Sequence, residues 1–302
     1  MRRLLAAIPT LFVVIAVAFM LVRFTPGGPF DEQREVPEEV EAALIEAYNL
    51  DDPLVVQFFD YLGGLMKGDF GPSFHFEGAT VGDLIVETLP YSAAVGLLSI
   101  LFALMAGIAA GSWAALNRDS LIDRMVMAAA MMGISIPIFV IAPLLVLAFA
   151  LKLPWFPSAW SASGGLAWLF LPVLALALPQ IAYIARLTRA SMIDVLASGF
   201  VRTARAQGLS TGEIVRYHAL KPAMLPVLSY MGPAIAGVLT GSIVIESVFN
   251  IPGLGDLFIV GARHRDYTLV LGIVTFYATL VIVLNLIVDV LYGLLDPRIR
   301  YR

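Results

Sequence analysis

Six stretches of this chain are apolar for long enough to cross the roughly 30 Å hydrocarbon core of a bilayer: Ile8–Phe24, Tyr91–Leu116, Met125–Leu151, Leu166–Ala185, Pro226–Val248 and Leu269–Leu295. An even number of spans puts both termini on one side. Between the first two spans the pattern changes. Pro37-Glu38-Glu39 is a helix start followed by Val40, Ala43, Leu44 and Ala47 at helical spacing, and Asp52-Pro53 opens a second helix with Leu54, Phe58, Tyr61, Leu62 and Leu65 on one side. Two short amphipathic helices on the outer membrane surface are predicted, either capping the bundle or docking a partner. Gly68-Asp69-Phe70-Gly71-Pro72 then reads as a turn.

Composition agrees with the bilayer as solvent. Of the 302 residues 60% are hydrophobic and 14% charged, and the mean hydropathy is +0.88, far from the balance of a soluble domain. Arg2 and Arg3 before the first run, with Ala16-Val17-Ala18 inside it, imitate a signal peptide. The apolar stretch continues through Phe19-Met20-Leu21-Val22, so the run is read as a retained anchor. Short segments on the side of the termini hold thirteen Lys and Arg residues, from Arg2 to Arg302, against Lys152, Arg263 and Arg265 opposite. Both termini are therefore expected in the cytoplasm. The long loop Thr25 to Pro90 carries fourteen carboxylates against Arg34 and Lys67 and is read as an acidic external domain. The expected organisation is thus a first helix plus external loop domain over 1–90 and a five-helix membrane core over 91–302, with a cytoplasmic loop at 186–225.

The reacting groups of a membrane enzyme are missing from the sequence. Zero Cys removes disulfides, thiolate metal sites and cysteine nucleophiles. No G-x-x-x-x-G-K-[ST] occurs, the three lysines following Met66, Leu151 and Leu220, and there is no H-E-x-x-H. His75, His218 and His264 lie far apart in sequence and read as solvated loop or interface residues; Ser135, Ser198 and Ser242 lack the glycine pattern of an elbow nucleophile. The eleven methionines read as apolar filling. A net charge of −4 also argues against nucleic acid. The chain is expected to be a non-catalytic, metal-free subunit with no cofactor of its own.

The inner loop from Arg186 to Leu225 stands out, with six basic residues against Asp194 and Glu213. Arg186 and Arg189 begin it as a continuation of the fourth span, and both suit anchoring to anionic headgroups. Next comes Gly199-Phe200-Val201-Arg202-Thr203-Ala204-Arg205-Ala206-Gln207-Gly208-Leu209, a segment bracketed by two glycines. The breakers predict a separate short helix that Gly208 terminates. Arg216-Tyr217-His218-Ala219-Leu220-Lys221-Pro222 leads back to the membrane.

This loop resembles the cytoplasmic signature of permease subunits of bacterial ATP-binding-cassette importers, written E-A-A, three residues, G, nine residues, I-x-L-P. Aligned on Gly208, Ala204 and Leu220 fall on their expected residues; Arg202 and Thr203 replace the Glu and first Ala, His218 replaces Ile, and Lys221 replaces Pro, with Pro222 one later. Phe200 to Leu209, followed by His218-Ala-Leu-Lys-Pro-Ala-Met-Leu-Pro226, looks like the variant of peptide-importing members. Ile245-Glu246-Ser-Val-Phe-Asn-Ile-Pro252-Gly253, Asp289-Val-Leu-Tyr-Gly, Asp296-Pro297, Ile8-Pro9, Pro26-Gly-Gly-Pro29 and Gly68 to Phe74 extend the likeness over nearly the whole chain. It is similar to B-type subunits of oligopeptide permeases, in the dipeptide and nickel permease family.

The resemblance implies an all-α fold of type I importer permeases, with six transmembrane helices, forming half of a translocation pathway in the inner membrane. It implies a second permease subunit as heterodimer partner, two cytoplasmic subunits that bind ATP and Mg, and a periplasmic or extracellular peptide-binding protein, with lipid around the spans. It assigns ATPase coupling to Phe200, Arg202, Thr203, Ala204, Arg205, Ala206, Gly208, Leu209, His218 and Leu220. Glu246, near the outer end of the fifth span, is a candidate for the translocation path together with Pro252 and Gly253, or an interfacial residue; Asp289 reads as structural. Pro137, Pro143, Pro172 and Pro179 lie inside spans and permit kinks. A dipeptide or nickel permease would share the same loop, and a stand-alone secondary transporter or channel would need coupling charges in midspan.

Overall fold

The computed structural model describes residues 2–24 and 51–295. The expected helix at Val40 to Ala47, the first part of the acidic loop (residues 25–50), and the Pro26–Pro29 and Asp296-Pro297 motifs lie outside the described residues. The regular elements among the described residues are helices. In order the chain forms α1 (Arg2–Phe24), α2 (Leu54–Leu65), α3 (Val81–Leu116), α4 (Leu121–Ser135), α5 (Ile138–Leu145), α6 (Phe170–Leu196), α7 (Gly199–Ala206), α8 (Thr211–Glu213), α9 (Leu220–Ala223), α10 (Leu225–Val248), α11 (Leu254–Arg263) and α12 (Tyr267–Leu295). A π-helical turn, Val146–Lys152, prolongs α5, and another, Ile214–Ala219, joins α8 to α9.

Among the described residues five helices are long and apolar enough to cross a membrane, and α4 and α5 taken together as one broken span make six. The third span expected over Met125–Leu151, where Pro137 permits a kink, is broken at that proline, its two halves bent by 107°. The cause is local: Ile136 leaves the helix with extended dihedrals (φ −86°, ψ 122°) before Pro137, whose ring disfavours the α conformation in its predecessor. The pair still crosses. At its start Asp123 binds Arg189 in the inner half of α6. Beyond its end Phe156 stacks on Phe170 at the outer start of α6, and the Trp160 N–H donates to the Phe249 carbonyl just past α10.

The chain packs as two compact units, residues 1–92 with 252–282 and residues 93–251 with 283–302. The first unit is discontinuous in sequence because α11 and the start of α12 bury their apolar faces with the outer loop. In the first unit Val81, Leu84 and Ile85 of α3 close on Leu254 and Leu257 of α11 and Leu269 and Ile273 of α12. Here α2 lays Phe58 edge-on against Phe12 and Phe19 of α1. Asp266, fully buried, caps α12 by accepting from the Leu269 N–H, and its other oxygen accepts from the Ser73 hydroxyl and from the Phe74 and His75 N–H groups. One carboxylate thereby ties the outer loop to a membrane helix.

In the second unit α6 is central. Glycines 107 and 111 let α3 approach it so closely that a Cβ at either would meet Ile184 or the Ala185 carbonyl and Thr188. The sidedness set by basic residues yields a direct check. In this cysteine-free chain, a cysteine at Gly212, where added side-chain atoms meet nothing within 4 Å, is expected to react with an impermeant thiol reagent from the cytoplasm only. One at exposed Ser163 should react from outside only; the opposite pattern would invert the topology.

Candidate functional site

The cytoplasmic loop is built as the glycine brackets suggest. Helix α6 runs on past the membrane to Leu196, the Ser198 hydroxyl donates to the Val195 carbonyl, and α7 follows at once. Helix α7 ends in a Schellman closure: the Leu209 N–H reaches the Ala204 carbonyl and the Gly208 N–H the Arg205 carbonyl, with Gly208 at φ +85°. Only glycine takes that conformation without strain. The closure brings Leu209 onto the inner face of α7, where Val201 and Ala204 pack with Ile214 and against Val195 and Leu196. Ser210 then caps α8 in a reciprocal box with Glu213, whose carboxyl is held below its usual range by the Ser210 hydroxyl and then by the Ser210 N–H.

With Val201 and Ala204 buried, the remaining surface of α7 is presented outward: Phe200, Arg202, Thr203, Arg205 and Ala206 are all exposed, as is Gly208. Arg205 and Arg202 have no carboxylate partner among the described residues. The return segment is held less openly. Ala219 and Ala223 pack with Met192 of α6 and Ala115 of α3. His218 is half-buried with its Nδ1 unpartnered among the described residues, and Leu220 is half-buried. The structure therefore gathers Phe200 to Leu209 into one projecting element and sets His218 and Leu220 in the stem behind it.

Arg189 differs from its expected place at the headgroups. Its guanidinium binds the Asp123 carboxylate through Nε at 2.5 Å and through a second nitrogen at 2.6 Å, and Asp123 is buried. Asp123 also accepts from the Asp119 N–H. Such a fork-to-fork pair fixes orientation as well as charge, so Arg189 braces the stem of the loop against α4. Arg186 remains exposed, stacked over the Tyr183 ring.

Of the expected path residues, Glu246 is fully buried in the last turns of α10, and its carbonyl accepts from the Ile251 N–H. Pro252 is half-buried and Gly253 buried, Gly253 standing at the start of α11, where the Leu254 N–H donates to the Ser92 hydroxyl. The histidines are not all isolated: His75 and His264 stack with ring centroids 3.8 Å apart. Burial and then the neighbouring His264 lower the His75 pKa, with Asp266 opposing. Among the described residues no cluster of three metal-ligating side chains occurs.

A six-crossing helical bundle that extends one span into the cytoplasm to carry an amphipathic, basic helix is the architecture of a membrane transport permease. A family model described as the binding-protein-dependent transport system inner membrane component matches residues 107–301. The oligopeptide transport system permease protein OppB of Haemophilus influenzae is 49% identical over 99% of this chain and 98% of its own. OppB of Salmonella typhimurium is 50% identical over 100% and 98%, and the dipeptide transport system permease protein DppB of Bacillus subtilis is 41% identical over 99% and 96%. Among solved structures, an inward-facing form of the MetNI methionine ABC transporter shares the fold, with TM-score 0.57 and 18% identity over 70% of this chain and 96% of that one. The chain belongs to the binding-protein-dependent transport system inner membrane component family. It is a multi-pass inner-membrane permease subunit of an ATP-binding-cassette importer.

Proposed function

We propose that this subunit imports oligopeptides as the B-type half of a heterodimeric permease served by two ATP- and Mg-binding subunits, one of them docked on α7, with an external peptide-binding protein delivering the cargo. The peptide substrate rests on the full-length OppB relatives at 49% and 50% identity. The observation that carries the coupling role is the projecting helix itself. Its fold is closed from within by Val201, Ala204, Leu209 and Gly208, so that Phe200, Arg202, Thr203, Arg205 and Ala206 are left to meet a partner. His218 and Leu220 steady the stem, and the Asp123–Arg189 brace passes displacement of the loop to α4 and α6. Glu246, Pro252 and Gly253 act from within the walls of the path, setting the outer end of α10 and the start of α11.

The test separates folding from docking. Gly208→Val puts a β-branched residue at φ +85°, a strain of about 1–3 kcal/mol, without touching the spans. Arg205→Glu leaves the helix intact and reverses one exposed charge. Each is expected to insert and pair with the second permease subunit while losing about tenfold or more in ATPase-subunit association, the equivalent of 1.4 kcal/mol, and with it peptide-stimulated hydrolysis. Unchanged association and transport in both variants would remove α7 as the coupling element.

A further inference from the structure

Spans that face lipid show large apolar side chains outward, and most of those here do. On α3, for example, Leu97 is 69% and Met105 57% exposed. Helices α6 and α10 are different. Past Phe170, the first residue of α6, neither presents an exposed large apolar side chain among the described residues. What α10 exposes is small or polar, including Ser229, Pro233, Gly237 and Thr240, and α6 exposes Arg186.

The polar groups of this face form one connected ladder. The Tyr230 hydroxyl of α10 donates to Oε1 of Gln180 on α6 at 2.8 Å. The Tyr230 ring stacks on Tyr183 at 5.4 Å, and the Arg186 guanidinium lies 5.4 Å over Tyr183. Gln180, Tyr183 and Arg186 recur every three residues, descending about 9 Å along α6 toward the cytoplasm. Gly237 stands at the midpoint of the span Leu225–Val248, and the Gln180 side chain reaches it from α6. The two meet: a Cβ at Gly237 would lie 3.3 Å from the Gln180 Nε2. A half-buried amide at bilayer midplane, bordered by a glycine, is costly against hydrocarbon and well placed against water or a polar guest.

We propose that the shared face of α6 and α10, from Thr240 and Gly237 through Gln180, Tyr230 and Tyr183 to Arg186, is this subunit's wall of a water-filled path. Gln180 and Tyr230 there offer midplane hydrogen bonds to the main-chain amides of a passing peptide. The choice of guest rests on the function proposed above. An amide and a phenol read main-chain N–H and C=O groups rather than side chains, which suits cargo of varied sequence, and Gly237 keeps the α10 side of this wall low beside the amide.

The test uses the assembled transporter in membrane vesicles. Single cysteines at Ser229 and Thr240 are compared with cysteines at Leu101 and Met105, exposed apolar positions of α3, for modification by a charged, membrane-impermeant thiol reagent. Ser229→Cys and Thr240→Cys are expected to react at least tenfold faster than the α3 pair, at rates that change on ATP binding. In addition, Gln180→Leu is expected to lower peptide uptake about tenfold while ATPase-subunit association stays unchanged. Reaction as slow as at Leu101 and Met105 in every nucleotide state would overturn the proposal and identify the face as packed against a helix of the second permease subunit. The labelling pattern without peptide uptake by the unsubstituted transporter would overturn the peptide guest and the function proposed above, while the water-filled face would stand.

Discussion

Asp266→Ala is expected to destabilise the unit of residues 1–92 and 252–282 by about 3 kcal/mol or more, since each buried donor left without its acceptor costs about 1–3 kcal/mol. The carboxylate is fully buried and accepts from the Ser73 hydroxyl and from the N–H groups of Phe74, His75 and Leu269. The Thr268 hydroxyl also reaches Asp266 Oδ1, but it has only one proton and can give it to the Pro72 carbonyl, so the substitution does not strand it. Alanine takes the shared acceptor from those four donors and removes the cap of α12. Hydrogen exchange over residues 70–76, with the melting temperature of the purified transporter, reads the effect. Asp266→Asn, which keeps one acceptor oxygen, should fall between the two. Exchange over 70–76 as slow in Asp266→Ala as in the unsubstituted protein would show that the loop is held by other means.

Gly111→Val should be as damaging to the second unit. A Cβ at this position lies 2.7 Å from the Thr188 Cβ and closer still to the Ala185 carbonyl oxygen, which is backbone and cannot rotate away. The added side chain forces α3 and α6 apart over a contact that also includes Gly107 and Ile184, at a cost of about 3 kcal/mol, the upper end for overpacking. The expected result is a lower melting temperature and loss of assembled complex from membranes. Gly63→Ala is the control, because nothing lies within 4 Å of its Cβ and alanine favours a helix. Equal yields of Gly111→Val and Gly63→Ala would contradict the close approach.

These sites differ in how far the sequence announces them. The long spans are written as uninterrupted apolar runs, so α1, α3, α6, α10 and α12 are found where those runs place them. The α7 helix is legible too, because its start and stop depend on neighbours in sequence: Gly199, Gly208, and apolar Val201, Ala204 and Leu209 at helical spacing. What is not legible is pairing at a distance. Arg189 lies 66 residues from Asp123, and His75 is far in sequence from His264; a lone basic residue near a span end reads equally well as a headgroup anchor. Helix α11 escapes because ten residues with Asp256 and Arg263 in them make no membrane-length run. The α6–α10 face escapes for a related reason. Gln180, Tyr183, Tyr230 and Gly237 look like minor interruptions of two apolar runs until the fold sets them side by side.

The break at Ile136-Pro137 bears on how the polypeptide is made. The fifteen residues of α4 reach about 22 Å at 1.5 Å per residue, and Ile138–Lys152 is the same length; neither half alone matches a bilayer. Their hold on the membrane comes from α6, through Asp123 on Arg189, Gly133 close to Ala182, and Phe156 on Phe170. Since α6 leaves the ribosome later, the third crossing is a tertiary structure from the outset, completed by a helix that has yet to be synthesised when its own residues first meet lipid.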